Sequence, residues 1–500
     1  VSKLLFEDSD WSFETIERVA DACAEIADEE LGLNCYPNQF EVITSTQMLD
    51  AYASVGMPVG YNHWSFGKVF VGEEQKYRSG KSGLAYELVI NSNPCINYLM
   101  EENSATIQAL VIAHAGFGHN HFFKNNYLFK EWTKADSIID YLLFAKNYIA
   151  ECEERYGYHE VERIIDSAHA LRNQGIDRYK KPSKLSIMEE KNRQKEREEY
   201  IQSQVNVLWQ ETAKERKKKK EKNFPPEPEE NILKFIEKNS PSLETWQREI
   251  IRIVRMISQY FYPQRQTKVM NEGFACWVHC YMLERLYDKG LISEGAMLEF
   301  KHVHSNVVWQ GDYTQMGHFN PYALGLNMFR DIERICKDPT KEDREWFPDI
   351  AGENHIEVIK HAVENYRDES FVRQFLSPKL MRDMRMFSIN NNSEEDFYEV
   401  RSIHNRDGYR KIRSTLADQY EVGNQDPNIQ VVNSNIKTTR TLELVHHVVN
   451  GELLEEEDAM DCIFHMKRLW GYEVDLASID ENDKKLDDFS TSITLDLDYD

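Results

Sequence analysis

No run of about 18 consecutive apolar residues, the length a helix needs to cross a bilayer, occurs in the 500 residues, so no membrane span is expected. The opening stretch Val1 to Asp8 reaches acidic residues where a secretory signal would carry an apolar core, and the expected compartment is the cytoplasm. Basic residues are in deficit: 60 Lys and Arg stand against 85 Asp and Glu, a formal net charge of −25. A field of that sign repels nucleic acid and anionic lipid, so the reading is no nucleic acid partner. The eight cysteines form no CxxC. They lie scattered among apolar neighbours, as buried free thiols do in a reducing compartment. Cys276 and Cys280 have helical spacing, but no second pair completes a zinc knuckle. No GKS or GKT accompanies Gly56, Gly60 and Gly67, and no GxSxG occurs. A phosphate-binding loop and a serine nucleophile elbow are therefore excluded.

What the chain does have is core material, with 41% hydrophobic and 12% aromatic residues, too much for a disordered protein. Helical periodicity begins at residues 10–32, with Ser9 or Asp10 as cap. Short strands are expected at Phe40–Ile43, near Lys68–Val71 and at Leu84–Ile90, the last stopped by Asn91-Ser92-Asn93-Pro94. Helices follow over 95–118, 132–155, 159–173, 231–238, 242–261, 265–289, 293–302 and 320–336. The fold class read from this is mainly α with a small β-sheet, followed by a smaller C-terminal α+β domain. The domain map is 1–187 as the N-terminal part, 188–230 as a charged helix and linker, 231–377 as the helical part completing the core, 378–480 as the α+β domain and 481–500 as a disordered acidic tail.

Two stretches carry chemistry. The first, Ala109 to His121, ends a strongly apolar helix with His114, His119 and His121 around Gly116 and Gly118. In a regular helix His114 and His119 point about 140° apart, but the glycines make local distortion cheap, so both rings can converge. The second, Met270 to Cys280, places Glu272, Cys276 and His279 on one helical face. An apolar helix carrying Glu and His on one face needs partners for them, because a lone buried charge is costly. One reading is a buried Glu–His pair with no metal. The other joins the stretches: His114, His119 and Glu272 supply two nitrogens and one oxygen with one position open, the donor set of catalytic zinc. His279 is then a fourth ligand or acts on the substrate. Zn²⁺ fits this set best, although Fe²⁺, Mn²⁺ and Ni²⁺ can use it. Around such a site, substrate contacts are expected from His63, Lys124, Asn125, His304, His318 and Tyr322. His302-Val303-His304 reads as a short extended segment. His446-His447 reads as surface.

Several blocks resemble the stage V sporulation protein R family, the SpoVR-like proteins. They are Tyr36-Pro37-Asn38-Gln39, Ser54-Val55-Gly56-Met57-Pro58, Tyr61-Asn62-His63-Trp64-Ser65-Phe66-Gly67-Lys68, Ile90-Asn91-Ser92-Asn93-Pro94, His119-Asn120-His121-Phe122-Phe123-Lys124-Asn125-Asn126, Asn271-Glu272-Gly273-Phe274-Ala275 and Asn320-Pro321-Tyr322-Ala323-Leu324-Gly325. The resemblance spans nearly the whole chain. It implies a role in spore cortex formation or, in bacteria that form no spores, in stress response. It also implies an AAA+-type serine kinase and a von Willebrand A-like protein as partners.

A remoter resemblance is to zincin peptidases with the motif HExxxH, through a strand, a helix with His-x-x-x-x-His and a later helix with Glu-Gly-x-Ala. It implies a zincin-like core with His114, His119 and Glu272 as metal ligands. The position of the catalytic Glu holds Ala115 instead. General-base catalysis is worth about 10²–10⁴-fold, so either Glu101 or Glu102 replaces it or the chain is not a standard peptidase. Two functions follow. One is metal-dependent hydrolysis of an amide-type bond in a peptide or cell-wall precursor, with His279 orienting or transferring a proton. The other is a non-catalytic, degenerate peptidase that binds a partner in a kinase-linked stress pathway.

Overall fold

The computed structural model describes residues 4–54, 59–66, 68–71, 87–180, 224–311, 319–390, 399–402, 404–421, 425–449 and 451–492. Helices dominate them. The chain divides into two compact units, one of residues 1–158 and 260–425, the other of 159–259 and 426–500. The expected linker 188–230 falls mostly outside the described residues.

In the first unit, helix α1 (Phe13–Ile26) starts later than the periodicity suggests. Ser12 caps it, accepting from the Thr15 amide while Thr15 Oγ1 accepts from the Ser12 amide. A three-stranded sheet follows, ordered β1 (Asn38–Ile43), β3 (Cys95–Met100), β2 (Glu87–Ile90). β1 runs parallel to β3, and β2 runs antiparallel to it with Glu87 opposite Leu99. Residues 95–100 are thus a strand and not the first turns of a helix. The helix waits for Ser104, whose side chain caps α2 (Ala105–Val111) by accepting from the Ile107 amide. Residues 68–71, expected as an edge strand, are helical.

The core is built around α3 (Lys268–Asp288), buried on nearly every side, with Asn271, Glu272 and His279 as polar groups among its apolar residues. It lies against the stretch that continues α2 on one flank and α5 (Pro321–Lys337) on the other, with α4 (Glu294–Val307) between them in sequence. The α3–α5 crossing is backbone to backbone: a Cβ on Gly325 would stand 2.0 Å from the Val269 carbonyl oxygen. A two-stranded ribbon, β4 (Ser388–Asn390) with β5 (Glu399–Ser402), and the helix Arg406–Gln419 also belong to this unit.

The second unit holds a sheet ordered β6 (Asn428–Asn433), β7 (Leu442–His447), β8 (Val474–Ile479), β9 (Lys485–Ser490). α6 (Glu456–Trp470) connects the parallel pair β7 and β8. Two expectations are corrected here. The stretch read as a disordered acidic tail supplies β9, antiparallel to β8 with Phe489 buried. His446, read as surface, is 4% exposed, because β7 alternates and turns Leu442, Leu444 and His446 inward, where Ser478 meets the ring at 3.1 Å.

Candidate metal centre

Beyond Val111 the helix widens into a π-helical segment, Ile112–His119. Its hydrogen bonds close over five residues instead of four, so residue i+5 sits above residue i. The five-residue spacing that diverges in an α-helix here superposes His114 and His119, with ring centroids 4.6 Å apart. The glycines serve close packing. A Cβ on Gly116 would lie 2.9 Å from the Phe40 ring, and one on Gly118 would lie 2.6 Å from Ala275 Cα on α3.

That approach brings Glu272 under the two rings. Its Oε2 lies 3.7 Å from His114 Nε2 and 3.5 Å from His119 Nε2. Glu87, from β2, completes the ring of atoms, with Oε1 3.2 Å from His114 Nε2 and 3.8 Å from His119 Nε2. Both Nδ1 atoms are engaged behind the rings. His119 Nδ1 donates to Asn271 Oδ1 at 2.8 Å, and His114 Nδ1 lies 2.8 Å from His279 Nδ1. A His119 proton held on Nδ1 leaves the lone pair of Nε2 facing two carboxylates.

Lone pairs that face one another in a buried space repel unless a positive charge sits among them. The titration behaviour expresses that demand. Burial opposes charge on His119, yet the bond and charge of Glu272, the charge of Glu87 and Asn271 together raise it to about 9. Burial also opposes the Glu272 carboxylate, but hydrogen bonds and charge from both histidines hold it well below the usual range. Glu87 goes the other way: burial raises it, against the pull of His114 and His119. Tyr322 is raised by burial and by the neighbouring Glu272 and Glu87. Glu87, His114 and His119 offer ligand atoms within 4.8 Å of one another, a hard nitrogen–oxygen set suited to a divalent ion.

The structure gathers His114, His119, Glu272, His279 and Tyr322. His304 joins them from α4, where 302–304 is helical and not extended; its Nδ1 lies 2.9 Å from His279 Nε2. Glu101 and Glu102 are exposed in the turn after β3, and Glu102 Oε1 accepts from the Ser45 amide. The second carboxylate at the histidines, besides Glu272, is Glu87, which the sequence reading missed. Its signal is a single charge inside the apolar run Leu84–Ile90. Lys124 donates to the Cys35 carbonyl at 2.7 Å and lies over the Tyr36 ring, while Asn125 bonds to Asn34 in both directions. Both residues thus fasten segment 34–36. His63 pairs with Ser65 Oγ at 2.6 Å beside the Trp64 and Phe66 rings. His318 lies outside the described residues. Among the described residues no helix is long and apolar enough to cross a membrane.

Comparison with known proteins adds three findings. The family described as SpoVR like protein matches residues 10–425, and the SpoVR-like C-terminal domain matches residues 427–481. The uncharacterized protein YcgB of Escherichia coli (strain K12) is 53% identical over 483 residues, covering 96% of this chain and 94% of that protein. No solved structure matches.

Proposed function

The chain belongs to the SpoVR-like family, and on that premise we propose that His114, His119 and Glu272 form a divalent-metal centre in a zincin-like core, with Glu87 beside it. The observation that carries this reading is the convergence of both Nε2 atoms on the carboxylates, with Asn271 Oδ1 2.8 Å behind His119 Nδ1. Asn271 accepts from Nδ1, so Nε2 offers its lone pair to the space bounded by the carboxylates. Zinc suits two imidazoles and a carboxylate best. When bound, such an ion supplies Lewis acidity for hydrolysis of an amide-type bond, in a peptide or a cell-wall precursor.

The chain's own residues supply the rest. Glu87 stands where Ala115 fails: a carboxyl raised by burial, beside the site, suited to taking and returning a proton. Tyr322 stands beside Glu272 and Glu87. Service in spore cortex formation or stress response, with an AAA+-type serine kinase and a von Willebrand A-like partner, fits this reading. A second reading, a non-catalytic binding protein in that pathway, draws on Ala115. Both are tested by elemental analysis of the purified protein. Stoichiometric metal, lost in His119→Ala, is the expected result, and metal-free wild type overturns the centre. Hydrolysis lost in Glu87→Gln, with metal retained, separates the enzyme from the binding protein.

A further inference from the structure

Behind the candidate centre runs a line of buried nitrogen and sulfur atoms. His114 Nδ1 lies 2.8 Å from His279 Nδ1, His279 Nε2 lies 2.9 Å from His304 Nδ1, and His304 Nε2 lies 3.5 Å from Cys280 Sγ. Arg330 Nη2 reaches the same sulfur at 3.5 Å. His114, His279 and Cys280 are 3%, 1% and 6% exposed, and His304 is 9% exposed. Three helical segments supply them: the π-helical segment, α3 and α4.

We infer that His279 and His304 are positioning residues that fix the His114 tautomer through a one-way hydrogen-bond chain, His114 to His279 to His304. The inference rests on the metal reading for the role of His114 Nε2. Proton counting gives the direction. A neutral imidazole has one N–H and one lone pair. With Nε2 of His114 turned to the carboxylates as a lone-pair donor, its proton is on Nδ1, and His279 Nδ1 must accept it. The proton of His279 is then on Nε2 and is donated to His304 Nδ1. The proton of His304 is left on Nε2, and Cys280 Sγ lies beside the ring, 3.5 Å from Nε2 and 3.8 Å from Nδ1.

The chain has a second consequence. Both nitrogens of His279 are committed, so His279 is not a fourth ligand. His279, Cys280 and His304 also lie close enough together to hold a metal ion themselves. An ion taking His279 Nε2 would force its proton onto Nδ1, turn the His114 bond around and move the His114 proton onto Nε2. The chain and such an ion are incompatible, and the 2.8 and 2.9 Å contacts favour the chain.

Glutamine reproduces the His279 pattern, accepting with its oxygen and donating with its nitrogen, whereas leucine fills the space and does neither. Zn²⁺ affinity, measured by chelator competition, is expected to fall about 10–100-fold in His279→Leu, the range for loss of a residue that orients a ligand. In His279→Gln it is expected to recover most of that loss. Equal affinity in both variants, or no loss in His279→Leu, overturns the chain. Wild type that binds no metal overturns the metal reading instead. Nitrogen-15 NMR of histidine-labelled wild type reads the tautomers themselves. In the zinc-loaded protein the chain requires His279 and His304 both as Nε2–H tautomers, assigned by loss of each signal in His279→Gln and His304→Gln. An Nδ1–H tautomer at either position refutes it.

Discussion

Replacing Gly118 by alanine tests whether the contact between the π-helical segment and α3 builds the centre. The added Cβ would stand 2.6 Å from Ala275 Cα and 2.8 Å from Ala275 Cβ. Both distances are inside van der Waals contact, and one neighbour is backbone, so no side-chain rotation relieves the overlap. The helices must separate by several tenths of an ångström. Overpacking of this kind costs about 1–3 kcal/mol. The separation also pulls His119, the next residue, away from Glu272, which is three residues before Ala275 on α3. Metal affinity is therefore expected to fall by at least about tenfold, the factor that 1.4 kcal/mol represents. Thermal unfolding and chelator competition read the two effects. Gly118→Ala combined with Ala275→Gly removes the 2.8 Å overlap but leaves the 2.6 Å one, so it should recover only part of each loss. A single variant as stable and as tightly metal-binding as wild type would refute the reasoning.

Three further predictions follow from residues away from that contact. Ala115 is fully buried in the apolar core, so Ala115→Glu should lose about 2–5 kcal/mol in denaturant unfolding and gain no hydrolysis; a stable, hydrolytic variant would show that position 115 faces the site. Asp368 accepts from the Val269 and Met270 amides at 2.9 Å, and burial raises it from 3.8 to about 7. Between those values the folded protein keeps a proton that the unfolded chain has lost, so this group's contribution to stability declines as pH rises from 3.8 to about 7. Asp368→Asn should flatten that part of the stability–pH curve, and an unchanged slope contradicts the assignment. Trp470 is fully buried in the second unit, with Nε1 donating to the Arg440 carbonyl at 2.6 Å. Trp470→Ala should destabilise by about 3–5 kcal/mol, measured by denaturant unfolding; a loss below 1 kcal/mol would show that the site collapses around the gap.

The readable parts were those decided within one helix. Glu272, Cys276 and His279 share a face of α3 because 100° per residue is a local rule, and the rule holds from Lys268 to Asp288. The HxxxxH pair and the convergence of its rings were legible, but the π-helical turn that produces it was not, and neither was the packing of Gly118 against Ala275 far along the chain. Cys95–Met100 defeated the periodicity argument because a near-continuous apolar run fits a buried helix as well as a strand; its pairing with β1 decides the matter. Glu87 went unnoticed for a related reason. Its closeness to His114 comes from sheet register, which the sequence does not display, whereas Glu101 and Glu102 are near the histidines only along the chain.

The division of the first unit into two chain segments sets an order of events during synthesis. His114 and His279 are 165 residues apart. At about 5–20 residues per second, roughly 10–30 s pass between their emergence from the ribosome. Throughout that interval the N-terminal segment has its histidines but neither α3 to pack against nor Glu272 to face. The wide turn at Ile112–His119 lacks its neighbour α3, and the apolar flank of α2 remains without that cover. Loop closure over such a distance is slow compared with helix formation. The cluster is thus a late product of folding, and a chain arrested before residue 272 presents an adhesive apolar surface in place of a binding centre.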